Sequence, residues 1–176
     1  IDRCFTLSGI GTVLTGTAFA GTVKVGDQLV LSPPNKPVRV RSLRVQDAPA
    51  TSGQAGQRIA LALSGIEKAE VERGQWIVAA GLHAPVRRFD ARLRVLSGQP
   101  ALKHWTQVHL HLGAEDVPAR VALLANTEIN PGGEAWAQIT LEREIGALAG
   151  DRFILRDAAA RQTIGGGTVL DIFPPS

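Results

Sequence analysis

The stretch DRCFTLSGIGTVLTGT, residues 2–17, has the pattern of an antiparallel β-structure. Gly9 and Gly11 permit a tight turn, because glycine adopts backbone conformations that other residues avoid. The residues Thr12–Thr17 are rich in valine, leucine and threonine, which favour strands. The chain opens on Ile1-Asp2-Arg3, which already resembles the inside of a strand, and it contains no methionine. We therefore expect a β-protein that is a piece cut from a longer chain.

The same pattern continues along the whole sequence: short segments rich in Val, Ile, Leu and Thr alternate with turns that contain Gly, Pro and Asp. The predicted strands are Thr12–Thr17, Gln28–Ser32, Val38–Val45, Arg58–Leu63, Trp76–Ala80, Phe89–Leu96, Gln107–Leu112, Ala119–Leu124, Ala135–Leu141, Arg152–Arg156 and Gly167–Ile172. The alternation of apolar and charged residues slips near Leu43-Arg44, which predicts a β-bulge there. Only Ile66–Arg73 and Ala84–Arg88 look helical or irregular.

A domain boundary is predicted near Gly81–Arg88, because one set of strands ends there and a new set starts at Phe89. The two halves, residues 1–84 and 85–176, each have enough strands for a small barrel. Closed barrels remove the exposed strand edges that promote aggregation, and a two-sheet sandwich is the main competitor. The predicted fold class is therefore all-β, with two consecutive antiparallel β-barrels.

Charge and cysteine content limit the functional classes. The net charge is +3, and the whole excess lies in residues 1–85, which hold nine Lys or Arg against six Asp or Glu. Fifteen of the nineteen cations are arginine, which suits phosphate and carboxylate recognition, although genome composition produces the same bias.

The single Cys4 excludes an internal disulfide, and no apolar run is long enough to span a bilayer. We expect a cytoplasmic protein with no membrane contact.

No catalytic motif stands out. The chain has neither a GxxxxGK[ST] phosphate loop nor an HExxH zinc motif, and Ser8 and Ser42 lack a nucleophile-elbow context. His109-Leu110-His111 would place two imidazoles on one face of a strand, but no third ligand with credible spacing accompanies them. We predict that the chain is not an enzyme and holds no metal.

Several stretches resemble known translation factors. Residues 2–17, together with Gly21–Asp27, resemble the opening of the second domain of GTPases of the elongation factor Tu class. Asn35–Leu43 and Ala55–Leu61 look like the second domain of the selenocysteine-specific elongation factors (SelB). Arg156–Asp171 is similar to the last strands of the third domain of that family. The resemblance extends from the first residue to about Pro175 and is weakest in residues 125–150.

The resemblance implies that residues 1–84 hold the aminoacyl group and 3′ end of a tRNA, and that residues 85–176 support its acceptor and T-arm backbone. Asp2, Arg3 and Arg58 stand at the positions that form the selenocysteinyl pocket in the family. A selenol is anionic at neutral pH whereas a seryl group is neutral, so two guanidiniums would favour the selenocysteinyl form. The alternative for the trio is a structural Asp–Arg pair at a barrel mouth.

In the second half, candidate contacts to the tRNA backbone are His109, His111, Arg120, Arg152, Arg156, Arg161, Gly165 and Gly166. The glycines could let a phosphate approach main-chain N–H groups. The competing interpretation makes Arg156-Asp157 a local ion pair and the glycines a bulge in the closing strands. Both interpretations stay open at this point.

The resemblance also implies partners outside this chain: selenocysteinyl-tRNA, a GTP-binding domain of the same protein, the ribosome, and a messenger RNA hairpin read by further C-terminal domains. GTP and magnesium belong to the missing domain, so we expect no cofactor here and a GTPase as the parent protein.

Two alternative functions stay open. The chain could be the barrel pair of another translational-type GTPase, such as an initiation-factor γ subunit or a sulfate-activating GTPase, or a barrel that docks a protein instead of RNA.

Overall fold

The computed structural model describes residues 1–175, which divide into two compact units. Unit 1 comprises Ile1–His83, and unit 2 begins at Ala84. Within the described residues the only helices are two single 3-10 turns, Lys68–Glu70 and Ala80–Leu82. None of the helices in this part of the chain is long and apolar enough to cross a bilayer.

Unit 1 is built from nine strands. They are β1 (Arg3–Leu7), β2 (Gly11–Thr17), β3 (Thr22–Lys24), β4 (Gln28–Ser32), β5 (Lys36–Val45), β6 (Ala48–Ala50), β7 (Ser52–Gln54), β8 (Arg58–Ser64) and β9 (Trp76–Val78). An antiparallel sheet has the order β1-β2-β8-β5-β4-β9, β6 pairs with β5, and β3 pairs with β7 in a separate ribbon.

The core of unit 1 follows from the two-residue period of its strands, which sends successive side chains to opposite faces. Leu14 of β2, Val40 and Leu43 of β5, and Ile59 and Leu63 of β8 belong to one buried cluster. The residues between them therefore point away from this cluster. That second side of the sheet, called the outer face below, carries Arg3, Thr15, Arg39, Arg41, Arg44, Arg58, Ala60, Ala62 and Ser64.

The described residues of unit 2 form eight strands. They are β10 (Pro85–Val95), β11 (Leu102–Lys103), β12 (Thr106–Leu112), β13 (Glu115–Leu123), β14 (Glu128–Ile129), β15 (Glu134–Gly146), β16 (Arg152–Asp157) and β17 (Thr163–Asp171). Six of them close into a barrel with the order β10-β15-β13-β12-β16-β17, and β17 pairs back onto β10. β11 and β14 form a small separate pair.

The barrel interior is filled by alternate residues of every strand, as a closed barrel of this size requires. Phe89, Leu93, Leu110, Ile139 and Leu155 are fully buried. The rings of Phe89 and Phe153 meet edge to face with their centroids 5.6 Å apart. The predicted all-β, antiparallel fold is confirmed, and unit 2 is a closed barrel.

Two local predictions need correction. Ala84–Arg88 is neither helical nor irregular, because Pro85 and Val86 already pair with Gly146 and Ile145 of β15 and start strand β10. Ile66–Arg73 is irregular around one 3-10 turn, which agrees with the prediction. The β-bulge of β5 lies between Val40 and Ser42, slightly before the position expected from the alternation.

Candidate functional site

The residues predicted from the first half of the chain meet at one end of the unit 1 sheet. Arg58 donates from Nη1 to Oδ2 of Asp2 at 2.5 Å, although 56 residues separate the two in sequence. Thr15 donates from Oγ1 to Oδ1 of Asp2 at 2.7 Å, and Arg58 Nη2 lies 3.5 Å from the same hydroxyl. Asp2 thus accepts one hydrogen bond on each carboxylate oxygen.

Strand register explains this meeting. The β1–β2 hairpin sets Arg3 opposite Thr15, and the β2–β8 ladder sets Arg58 opposite Thr17. Directly paired residues of an antiparallel sheet share a face. The side chains of Arg3, Thr15 and Arg58 therefore stand on the outer face together, with Asp2 just before β1.

Electrostatics hold the pair in its charged form. The hydrogen bond from Arg58, helped by that from Thr15, lowers the pKa of Asp2 against the opposing effect of burial. The same hydrogen bond, which Asp2 accepts, raises the pKa of Arg58. The side chains remain accessible, since 32% of Asp2 and 54% of Arg58 is exposed. Both groups are ionised at neutral pH and can be reached by a ligand.

Arg3 differs from Arg58 in having no partner. Its side chain is exposed, and within residues 1–175 it makes no hydrogen bond or ion pair. The trio therefore contains two guanidiniums and one carboxylate, which leaves one positive charge uncompensated. Such a group attracts an anion, while the remaining lone pairs of Asp2 can accept a hydrogen bond from an ammonium group.

Thr15 is the residue that sequence analysis missed. It carries no motif of its own, and its hydroxyl matters only because the hairpin sets it opposite Arg3. The position of the turn could have identified this residue. In a hairpin centred on Gly9 the numbers of two paired residues add to 18, so residue 15 lies opposite residue 3. Reading that register from the glycines would have identified Thr15.

The second set of predicted residues lies on the outside of the unit 2 barrel. Five of them occupy the outward-facing positions of three adjacent strands: His109, His111, Arg120, Arg152 and Arg156. The register sets His109 beside Arg156 and His111 beside Asp116. Arg161 follows in the turn between β16 and β17.

Part of this surface is already engaged in internal contacts. Asp116 Oδ1 lies 2.8 Å from His109 Nδ1 and 3.8 Å from His111 Nε2. Burial disfavours the Asp116 carboxylate, but the hydrogen bond from His109 and the nearby charges of His111 and Arg156 outweigh it and lower the pKa of Asp116. Arg156 also donates from Nη2 to the Arg161 carbonyl at 3.0 Å.

Arg120 and Arg152 are different, because the guanidinium of each is exposed and has no hydrogen bond or ion pair in the described part of the chain. Arg161 donates its main-chain N–H to Asp157 Oδ1 at 2.6 Å, and this contact together with the N–H of Gln162 lowers the pKa of Asp157. The exposed Arg161 guanidinium makes no hydrogen bond or ion pair among the described residues either, so the side chains of Arg120, Arg152 and Arg161 are all free to meet an anion.

Gly165 and Gly166 lie inside β17, which is paired on both sides, with β10 and with β16. A Cβ atom at Gly165 would fall against the Arg94 carbonyl oxygen, and one at Gly166 would lie 2.7 Å from the Phe153 carbonyl oxygen. Glycine is required here because neighbouring strands approach closely. A register shift between Leu155 and Arg156 accompanies the glycines.

The possible metal pair also has a structural explanation. His109 and His111 share Asp116, and no group of three or more His, Cys, Asp or Glu within residues 1–175 is arranged to hold a metal ion. His109 is therefore hydrogen-bonded to Asp116 on the barrel surface, whereas His111 Nε2 lies 3.8 Å from the same carboxylate and has no hydrogen-bond partner among the described residues.

Two family models match the chain. Residues 88–176 match the β-barrel domain of selenocysteine-specific elongation factors, and residues 11–78 match elongation factor Tu domain 2. The selenocysteine-specific elongation factor of Escherichia coli (strain K12) is 39% identical over 176 residues, which is 99% of this chain and 27% of that protein. The factor of the same name from Desulfomicrobium baculatum is 35% identical over 172 residues, 97% of this chain and 27% of the relative.

A solved structure agrees with these matches. The apo form of translation elongation factor SelB from Methanococcus maripaludis superposes with a TM-score of 0.78 at 27% identity, covering 98% of this chain and 42% of that one. The chain spans about a quarter of the length of the curated relatives it matches.

Proposed function

Since the chain belongs to the family of selenocysteine-specific elongation factors, we propose that it is the aminoacyl-tRNA-binding module of such a factor and delivers selenocysteinyl-tRNA to the ribosome for recoding of UGA. In this proposal unit 1 holds the aminoacyl group and the tRNA 3′ end, and unit 2 supports the acceptor and T-arm backbone. The observation that carries the proposal is the Asp2–Arg58 ion pair with the unpartnered Arg3 beside it.

The chemistry of the trio fits a selenolate. Arg58 is oriented by its hydrogen bond to Asp2, and Arg3 contributes a guanidinium that no other group neutralises. An anionic side chain is attracted to this excess charge, whereas the neutral hydroxyl of a seryl group gains much less. Asp2 can in addition accept a hydrogen bond from the free amino group of the aminoacyl ester. Discrimination between selenocysteine and serine thus arises from charge.

The proposed tRNA-backbone surface is the outside of β12, β13 and β16. The guanidiniums of Arg120, Arg152 and Arg161 are available for phosphates, while His109, His111 and Arg156 combine internal contacts with a position on the same surface. Such phosphate contacts fix the orientation of an RNA and carry little sequence information. Gly165 and Gly166 support this surface by allowing β17 to close the barrel.

The remaining functions belong to other parts of the longer protein. We assign GTP and magnesium to a GTP-binding domain of that protein, since the sequence of this chain carries no phosphate loop. In the proposal the parent is a cytoplasmic GTPase, its GTP-binding domain precedes this module, and further C-terminal domains read the messenger RNA hairpin. In this assignment the module binds tRNA, and GTP hydrolysis belongs to the GTP-binding domain.

The alternative assignments are not favoured. The barrel pair of another translational-type GTPase and a protein-docking barrel both lack a reason for the Asp2, Arg3 and Arg58 arrangement. The match to the selenocysteine-specific β-barrel domain covers nearly the whole of unit 2. This favours the selenocysteine factor over the initiation-factor γ subunit and the sulfate-activating GTPase.

The test compares one selenocysteine tRNA charged once with selenocysteine and once with serine, bound to the full-length factor in its GTP form. The wild-type protein should prefer the selenocysteinyl form. Arg58→Ala and Arg3→Ala should each reduce that preference by roughly 10- to 100-fold, the loss expected when a charge-assisted hydrogen bond is removed. Arg73→Ala, which removes an exposed arginine in the segment before β9, serves as the matched control and should leave the preference unchanged.

Equal losses for both aminoacyl forms would assign Arg58 to a general phosphate contact and would contradict the proposed pocket. Tight binding without any preference in the wild type would leave an RNA-binding module whose discrimination lies elsewhere. Absence of tRNA binding by the full-length factor would favour the protein-docking alternative.

A further inference from the structure

Strand β5 brings three more arginines to the outer face of unit 1. Val40 and Leu43 of this strand point into the core, so Arg39 and Arg44 point outward. The β-bulge between Val40 and Ser42 inserts Arg41 as an extra residue, which is also exposed. Together with Arg3 and Arg58, five of the six arginines of unit 1 lie on this one face.

Arg39 and Arg41 line a concavity. Its volume is about 360 Å³, and it opens to solvent. The register of the β5–β8 ladder sets Arg39 directly opposite Ser64, the third polar residue of the lining. The remaining lining residues are Val25, Gly26 and Val40. Two guanidiniums and one hydroxyl thus surround one open pocket.

These two arginines have no partner of opposite charge. In the described residues the guanidiniums of Arg39 and Arg41 make no hydrogen bond or ion pair, whereas that of Arg44 on the same face donates to the Asp47 carbonyl. Two cations two residues apart repel each other, and no carboxylate of the described residues forms an ion pair with either of them. Guanidinium forks match the oxygens of a phosphate, and the Ser64 hydroxyl adds a further donor.

The concavity lies on the same face as the Asp2–Arg58 pair but at the other end of β8. Arg58 and Ser64 are the first and last residues of that strand, so they are roughly 20 Å apart at about 3.3 Å per residue. The outward residues between them are Ala60, which is partly exposed, and Ala62, which is buried. Both sites face the same side of the sheet, at a separation that a short extended strand of RNA can span.

We propose that Arg39, Arg41 and Ser64 form a phosphate-binding site for the backbone of the 3′ strand of the bound tRNA, separate from the aminoacyl pocket. This inference rests on the proposed function, since it is the aminoacyl end of the tRNA that brings its backbone to this face. Phosphate contacts position an RNA without reading its bases or its aminoacyl group. The site therefore contributes equally to binding of the selenocysteinyl and seryl forms.

The experiment measures binding of both charged forms to the full-length factor by filter retention over a range of salt concentrations. The double variant Arg39→Gln/Arg41→Gln should weaken both complexes by the same factor. Each lost contact to a single strand reduces the slope of log affinity against log salt by about 0.7, so the slope should fall by about 1.4. Arg73→Gln is the control for a general loss of charge and should keep the wild-type slope.

The outcomes separate this site from the aminoacyl pocket. An unchanged affinity and slope in the double variant, with the wild-type preference for selenocysteine intact, would overturn the phosphate site and leave the proposed function standing. Failure of the wild type to bind charged tRNA would overturn both. Normal tRNA binding with weakened binding to ribosomes would place a ribosomal phosphate in the concavity and would overturn the assignment to tRNA. Thermal denaturation of the variants verifies that these exposed substitutions preserve the fold.

Discussion

Thr15 connects twice to Asp2: its Oγ1 donates a 2.7 Å hydrogen bond to Oδ1 of the carboxylate, and its carbonyl accepts a 2.9 Å hydrogen bond from the Asp2 main-chain nitrogen. The second carboxylate oxygen is left for Arg58. Thr15 is thus a positioning residue, since it fixes the carboxylate that in turn orients the guanidinium.

Replacing the hydroxyl of Thr15 by a methyl group tests this role. Thr15→Val keeps the β-branched shape that suits a strand but removes the donor to Asp2. Because that hydrogen bond lowers the pKa of Asp2, the variant should raise this pKa, as measured by NMR titration. The preference of the full-length factor for selenocysteinyl-tRNA should fall, but less than in Arg58→Ala.

Thr17→Val is the matched control for Thr15→Val, because Thr17 is the next outward residue of β2 and its hydroxyl makes no hydrogen bond within the described chain. It should leave both readouts at their wild-type values. A Thr15→Val protein with an unchanged Asp2 pKa and full selenocysteine preference would contradict the positioning role.

The Asp2–Arg58 pair also predicts a pH dependence of stability. The hydrogen bond from Arg58 lowers the pKa of Asp2 below 3.8 in the folded chain. The carboxylate therefore stabilises the folded state above pH 3.8, and this contribution is lost as the pH falls through the lowered value. Asp2→Asn should reduce the free energy of unfolding at pH 6, and the difference from wild type should shrink towards pH 3.

Denaturant titrations at several pH values measure this difference. The effect is small, because both side chains are partly exposed and solvent screens the pair. Arg58→Gln removes the cause of the pKa shift and should show the same trend with pH as Asp2→Asn. A difference that stays constant between pH 6 and pH 3 would mean that the ion pair does not persist in solution.

Gly165 should be intolerant of any side chain. A Cβ there would press on the Arg94 carbonyl, which is main chain and cannot rotate away. Gly165→Ala should destabilise unit 2 by about 1–3 kcal/mol, the usual cost of overpacking a closely packed site. Thermal or denaturant unfolding measures the loss.

Gly98→Ala is the corresponding control, because a Cβ at Gly98 meets no atom within 4 Å. Its stability should stay within about 0.5 kcal/mol of wild type, as for most surface substitutions. Similar stabilities of the Gly165 and Gly98 variants would mean that β17 can move away from β10 at little cost.

Much of the fold follows from the local sequence. Gln28–Ser32 was predicted with the observed bounds, and the long strands β5, β8 and β16 were located within two residues at each end. Period-two alternation is strong in these strands because one side is buried. The start of β10 was missed, since Pro85 and Val86 are extended only because β15 pairs with them from sixty residues away.

Less of the candidate site than of the fold could be predicted from the sequence. The glycines that fix the β1–β2 hairpin place Arg3 opposite Thr15, which is a local relation. The approach of Arg58 to Asp2 instead depends on β8 pairing with β2, and nothing within either segment encodes it. Asp2, Arg3 and Arg58 were predicted from the family resemblance. The arginines of β5, by contrast, could be recognised as a group only from the β5–β8 ladder, which shows which face they share.

The pairing of β17 with β10 has a consequence for how this protein is made. The first strand of unit 2 is joined by hydrogen bonds to its last, so the barrel stays open until Thr163–Asp171 has been synthesised and has left the ribosome. Until then β10 and β16 expose unpaired edges, which are templates for association with other chains. Premature termination before this strand would therefore yield an aggregation-prone product, because β17 is the strand that completes the barrel of unit 2.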